Sequence, residues 1–93
     1  MLRKNHLREL LKANKPSLGT RLYFGLPSQV ELVGQAGAFD YVEFLAEYAP
    51  FDLHQLDNLA RAVELFPNFS AMVKIPQDLR GHLAARALGA GLQ

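Results

Sequence analysis

The chain has 93 residues, room for one small domain, and its 49 % apolar and 20 % charged residues are the balance of a globular fold. A net charge of +1 leaves no electrostatic case for nucleic acid or an anionic membrane. The lack of cysteine excludes a disulfide framework and a thiolate zinc site, and no apolar run approaches the ~20 residues needed to span a bilayer. The basic start has no continuous apolar core, so no secretory signal is read and the expected compartment is the cytosol.

In chain order, Leu2 to Asn14 reads as an amphipathic helix with Leu7, Leu10 and Leu11 on one face. The basic run Arg3, Lys4, Arg8, Lys12 and Lys15 reads as its solvated side. Lys15-Pro16 stops it, because the residue before a proline disfavours the helical region. Gly19 to Leu26 reads as a strand, with Leu22, Tyr23 and Phe24 as its β-formers, and Pro27-Ser28 breaks it. Ser28 is expected to cap a short helix with Glu31 as its reciprocal partner, and Gly37 to end that helix. Phe39 to Ala46 reads as the second strand. Asp52 and Gln55 form a capping box for the next helix, whose buried face carries Leu53, Leu56, Ala60, Val63 and Phe66 until Pro67-Asn68 ends it. Phe69 to Ile75 reads as the third strand. Asp78 is expected to cap an alanine-rich helix with Leu79, Leu83, Ala87 and Leu88 inward, closed by Gly89 and Gly91.

The order is a helix (1–15) and three βα units (18–37, 39–67, 69–91). Such alternation implies parallel strands joined by right-handed crossovers. No repeat, low-complexity tract or internal boundary interrupts it. Three units leave two open sheet edges, and a parallel sheet wants both faces covered. The expected class is therefore α/β, the N-terminal part of a (β/α)8 barrel stopping short of its fourth strand. The competing reading is a small three-layer domain. The open edges lead to the expectation of a homo-oligomer.

The stretch from Phe39 to Asp52 carries the most chemistry: a strand, the pair Glu47-Tyr48, a proline loop and a helix start. The C-terminal tips of parallel strands are where α/β folds build sites. Strand alternation puts Tyr41, Glu43, Leu45 and Glu47 on one face and Val42, Phe44 and Ala46 on the other. An inward carboxylate needs a partner, and Arg21 and Lys74 are the nearest cations. A polar Arg21/Glu43/Glu47/Lys74 cluster in the barrel interior is therefore expected, serving either as a filling ion-pair network or as a substrate-facing site. His6, His54 and His82 match no metal spacing. No Gly-rich phosphate loop is present, and Ser17, Ser28 and Ser70 lack an activating arrangement. Composition and spacing alone name no reaction.

In order, Lys15-Pro16-Ser17-Leu18-Gly19-Thr20, Leu26-Pro27-Ser28, Val30-Glu31-Leu32 with Ala36-Gly37, Phe39-Asp40-Tyr41-Val42 and Glu47-Tyr48-Ala49-Pro50 resemble the N-terminal part of the HpcH/HpaI aldolase family. The resemblance covers nearly the whole chain but only about the first third of a family member. It implies a (β/α)8 barrel that makes or breaks a carbon–carbon bond next to a pyruvate-like group, with a divalent metal such as Mg or Mn polarising the 2-oxo acid. The metal ligands of the family lie on later strands, so this chain is expected to supply none and to be inactive alone.

Residue by residue, the resemblance places the family glutamate at Glu47. The family histidine position holds Tyr48, a weak base at neutral pH. The family arginine position holds Lys74, which keeps the charge without the bidentate fork. Leu45 stands where an acid is common, and Arg21 where a bulky aromatic is common. The resemblance thus implies Glu47 and Tyr48 as catalytic residues, Lys74 and Arg21 as substrate-binding residues and a small 2-oxo acid as substrate. The alternative reading is a non-catalytic α/β module, or a truncated remnant, that associates through its open edges.

Overall fold

The computed structural model describes residues 3–77 and 80–93. Its elements alternate as α1 (His6–Lys12), β1 (Gly19–Leu22), α2 (Pro27–Ala36), β2 (Tyr41–Phe44), α3 (Leu53–Glu64), β3 (Ser70–Val73) and α4 (Arg80–Ala90). The three strands form one parallel sheet in the order β1-β2-β3. A helix followed by three βα units, the expected opening of a barrel, is what the chain forms.

The phase of β2 organises this arrangement. Val42 and Phe44 are almost wholly buried, together with Leu22 of β1 and Ala71 of β3. They pack under Val30 of α2, Leu56, Leu59 and Val63 of α3, and Leu83 and Ala87 of α4. All three helices cover the same face, as right-handed crossovers require. The opposite face carries the other half of each strand, with Arg21, Glu43 and Met72 level across the sheet and Gly19, Tyr41 and Ser70 level one step below.

Local chemistry sets the helix ends. The box at α3 closes as expected: the Gln55 amide donates to Asp52 Oδ1 at 2.8 Å, and the Asp52 amide donates to Gln55 Oε1 at 2.9 Å. Gly37 ends α2 with φ 69°, a left-handed value that glycine takes without strain. The start of α2 corrects the expectation: Leu26 is the cap residue, without a side-chain bond, and Pro27 opens the helix. Proline lacks the N–H that a cap would satisfy and arrives with a helical φ, so the Ser28–Glu31 box is not needed.

Other boundaries also differ. Helix α1 is shorter than expected, capped by Asn5, and buries no residue; Leu11 is exposed. Strand β1 ends at Leu22, leaving Tyr23 and Phe24 exposed, because its partner β2 ends level with it. Leu53 and Leu88, expected inward, are exposed, while Leu59 and Ala62 join the core of α3. The Asp78 cap and Leu79 lie outside the described residues, as do Met1 and Leu2.

Three contacts tie the N-terminal end of the sheet. Asp40 Oδ2 accepts from the Leu18 amide and Oδ1 meets His6 Nε2, each at 3.0 Å, while the Asp40 carbonyl accepts from the Ser70 amide. A carboxylate is acceptor-only, so Nε2 is the protonated nitrogen of His6. The buried Ser70 hydroxyl accepts from the Leu7 amide and seats α1. Arg3 Nη2 donates to the carbonyls of Val63, Phe66 and Phe69, at 3.2, 3.0 and 2.6 Å, tying the last turn of α3 to the loop that leads into β3. At the free edge of β3, the Gln93 amide donates to the Ala71 carbonyl at 2.9 Å, the bond a neighbouring strand would make.

Two stability outcomes follow from this packing. A Cβ at Gly34 would run into the Phe66 ring, whereas one at Gly89 meets nothing within 4 Å. Helix propensity favours alanine over glycine by up to ~1 kcal/mol, but overpacking costs about 1–3 kcal/mol. Gly34→Ala is therefore expected to lower the thermal midpoint and Gly89→Ala to raise it, a sign difference that one melting experiment reads. The second outcome concerns acid. Hydrogen bonds from the Leu18 amide, then from His6, hold the Asp40 carboxyl below its ordinary value of 3.8. A depressed folded value gives stability that is complete above the unfolded value and lost as pH falls through the folded one. Asp40→Asn should cost about 1–3 kcal/mol at neutral pH, with the gap to the unmodified chain closing below the ordinary carboxylate range in denaturant titrations.

Candidate active site at the strand tips

At the C-terminal tips the ladder gives way to a turn. The Leu45 amide still donates to the Leu22 carbonyl, after which Tyr48 and Ala49 fold back onto the Leu45 carbonyl. Glu47 therefore stands on a turn and not in the strand, and Leu45 is buried. The turn is pinned to β3: the Glu47 amide donates to the Lys74 carbonyl at 3.0 Å, and the Lys74 amide donates to the Phe44 carbonyl at 2.9 Å.

These backbones aim the four anticipated side chains. Lys74 Nζ lies 3.3 Å from Glu47 Oε2 and 3.3 Å from the Tyr48 hydroxyl. It is 4.9 Å from the centre of the Tyr48 ring, so the ammonium addresses the oxygen more closely than the ring. Arg21 pairs instead with Glu43, Nε to Oε1 at 3.3 Å, as the register between β1 and β2 dictates. The single cluster expected from the sequence is thus resolved into two pairs. The interior position is corrected as well: the Arg21 side chain is 67 % exposed and that of Lys74 48 %. Arg21 sits on an edge strand, and Lys74 stands one step beyond the last paired residue of β3, so neither is walled in.

The Tyr48 hydroxyl first, and Glu47 second, hold the Lys74 ammonium above the usual lysine range. The group is a cation and hydrogen-bond donor at neutral pH. An exposed pair such as Arg21–Glu43 contributes about 0–1 kcal/mol, little enough for an anionic ligand to displace.

Two residues meet at the N-terminal start of the same open face. The Tyr41 ring lies across Gly19, where any Cβ would collide with it. Gly19, Thr20, Arg21, Tyr41 and Glu43 line a small polar cavity of about 110 Å³. The role of Tyr41 was not read from the sequence; the glycine level with it on β1 was the available signal. Along the outer edge of β1, a groove of about 320 Å³ is lined by Leu22, Tyr23, Phe24, Leu32 and Val33 together with Arg21. Among the described residues no three His, Asp or Glu side chains come together as a metal site, and both tip carboxylates already face cations. These residues do not fit a divalent metal. Among the described residues no helix is long and apolar enough to cross a membrane.

A parallel sheet covered on one face by its crossover helices, with charged residues gathered at its C-terminal tips, defines the opening part of a TIM-type barrel. The likeness to known proteins is more specific. The crystal structure of an HpcH/HpaI aldolase from Desulfitobacterium hafniense DCB-2 matches with a TM-score of 0.78 and 30 % sequence identity, over 92 % of this chain and 32 % of that one. The fold is thus that of the N-terminal part of an HpcH/HpaI-type aldolase barrel, and the chain spans about one third of that relative's length. No family model matches the chain, and no curated protein does.

Proposed function

We propose that the strand tips form the anion-holding part of a 2-oxo-acid site in a carbon–carbon lyase of the aldolase type. The observation that carries this reading is the bracketing of the β2 tip by two cations, Arg21 from β1 and Lys74 from β3, each held by a carboxylate that a substrate anion can displace. The likeness to an HpcH/HpaI aldolase supplies the reaction class. In this reading Arg21 anchors the carboxylate, Lys74 sets the positive charge of the β2 tip, Glu47 orders its neighbours, and Tyr48 donates or orients a proton. Metal-dependent chemistry would need ligands outside this chain, and no step here passes through a metal. The segment by itself is expected to bind and not to turn over.

Nuclear magnetic resonance tests the binding. Millimolar pyruvate should shift the Arg21 Nε–H and Lys74 Cε resonances, and Arg21→Glu should abolish the effect. Shifts confined to the opposite end around Asp40, or none, would remove the reading.

The groove beside β1 favours a second reading, a module that associates through its sheet edge. Tyr23, Phe24 and Leu32 are all more than half exposed there, beside a strand with no outer partner among the described residues. Concentration-dependent sedimentation that Phe24→Ser abolishes is the expected outcome; a monomer at every concentration would discard it.

A further inference from the structure

We propose that Lys74 is a positioning residue, whose ammonium fixes the Tyr48 hydroxyl so that the phenol donates a proton to the enolate of a 2-oxo acid. The inference rests on the reading above and assigns the proton donor and its support within that site.

The geometry carries it. An ammonium has three N–H donors and no lone pair, so the phenol oxygen, 3.3 Å away, is the acceptor of their bond. The Tyr48 O–H is then turned away from Lys74, and among the described residues it has no protein acceptor. A second N–H of Lys74 goes to Glu47 Oε2, which fixes the ammonium from the other side. Both side chains grow from backbone that is itself bonded: Glu47 to Lys74, Lys74 to Phe44, and Tyr48 to Leu45. Lys74 therefore spends its donors on the β2 turn and has one to spare, whereas Arg21 engages Glu43 through Nε alone. The guanidinium is the better placed of the two cations to anchor a carboxylate.

In the proton-transfer step the Tyr48 O–H bond breaks and the enolate electron pair forms the new C–H bond at the nucleophilic carbon. The phenolate left behind faces the Lys74 ammonium and regains a proton from water. The reverse direction runs through the same atoms.

The test uses the 93-residue chain and two readouts. The first is the pH titration of Lys74 Cε, which needs no ligand and should move down in Tyr48→Phe. An unmoved titration would show that the contact is absent and overturn the proposal. The second is the affinity for oxalate, whose coplanar carboxylates imitate the enolate. Tyr48→Phe and Lys74→Met should each weaken it about tenfold, the worth of one charge-assisted hydrogen bond. The double variant should lose no more than about a further threefold, because two residues acting as one unit are not additive and exposed charges are screened. Additive losses would show that Lys74 holds the anion itself, overturning the proposal while leaving the 2-oxo-acid reading intact. No oxalate binding by the unmodified chain would remove both.

Discussion

Burial of Val42 and Phe44 on the central strand is the constraint from which the rest follows. These two side chains are 1 % and 2 % exposed, under helices on one side only. Side chains alternate along a strand, so burying that pair sends Tyr41 and Glu43 to the opposite face. Parallel pairing then sets what stands beside them. Register places Arg21 against Glu43 on one flank and Met72 on the other, and it brings Lys74 just above the end of the ladder. A slip of one residue would put Glu43 into the apolar core and Phe44 into the open face, at a cost no compensation here could offset. The position of the tip charges is thus a consequence of hydrophobic burial several ångströms away.

The tip turn adds a second level of determination. Once β2 ends, its free amides and carbonyls must find partners. Leu45 bonds back to Leu22 of β1, and Glu47 bonds to Lys74 of β3, so the turn is stitched to both neighbours. Exposure here does not mean looseness. Glu47 and Tyr48 are exposed side chains on a backbone held from both flanks, which is how a surface site keeps a defined geometry.

Local features of the fold were legible in the sequence because their chemistry is short-range. The Asp52–Gln55 box, the left-handed Gly37 and the alternation around Val42 and Phe44 each depend on neighbours within a few residues. Asp40 shows the limit. Its partners at His6, Leu18 and Ser70 are remote in sequence, and nothing in Phe39-Asp40-Tyr41 marks the middle residue as a junction. The strand lengths failed for a related reason. Tyr23 and Phe24 have strong β preference, yet a strand lasts only as long as its partner, and β2 stops at Phe44. At the site, the four side chains were legible as residues but not as pairs. Alternation alone put Glu43 and Glu47 together, whereas the turn after Leu45 separates them and hands Glu47 to Lys74. Tyr48 and Lys74, two of the four positions at which the sequence departs from the pattern it resembles, touch each other.

The two ends of the sheet use their polar groups in opposite ways, and the contrast separates structural charge from available charge. At the N-terminal end, both Asp40 oxygens are engaged and Arg3 serves three carbonyls through one nitrogen. Burial lowers the Arg3 pKa, partly offset by Glu64, a sign that its guanidinium has given up water for protein partners. Such groups are committed to protein partners, and replacing them changes stability. At the C-terminal end, Arg21 keeps its terminal nitrogens for other partners, Lys74 holds one donor in reserve, and the Tyr48 hydroxyl has yet to donate. Hydrogen-bonding capacity that water fills is capacity a substrate can take over with little loss. A ligand needs unspent valence on a rigid backbone, and among the described residues that combination occurs where β1, β2 and β3 end.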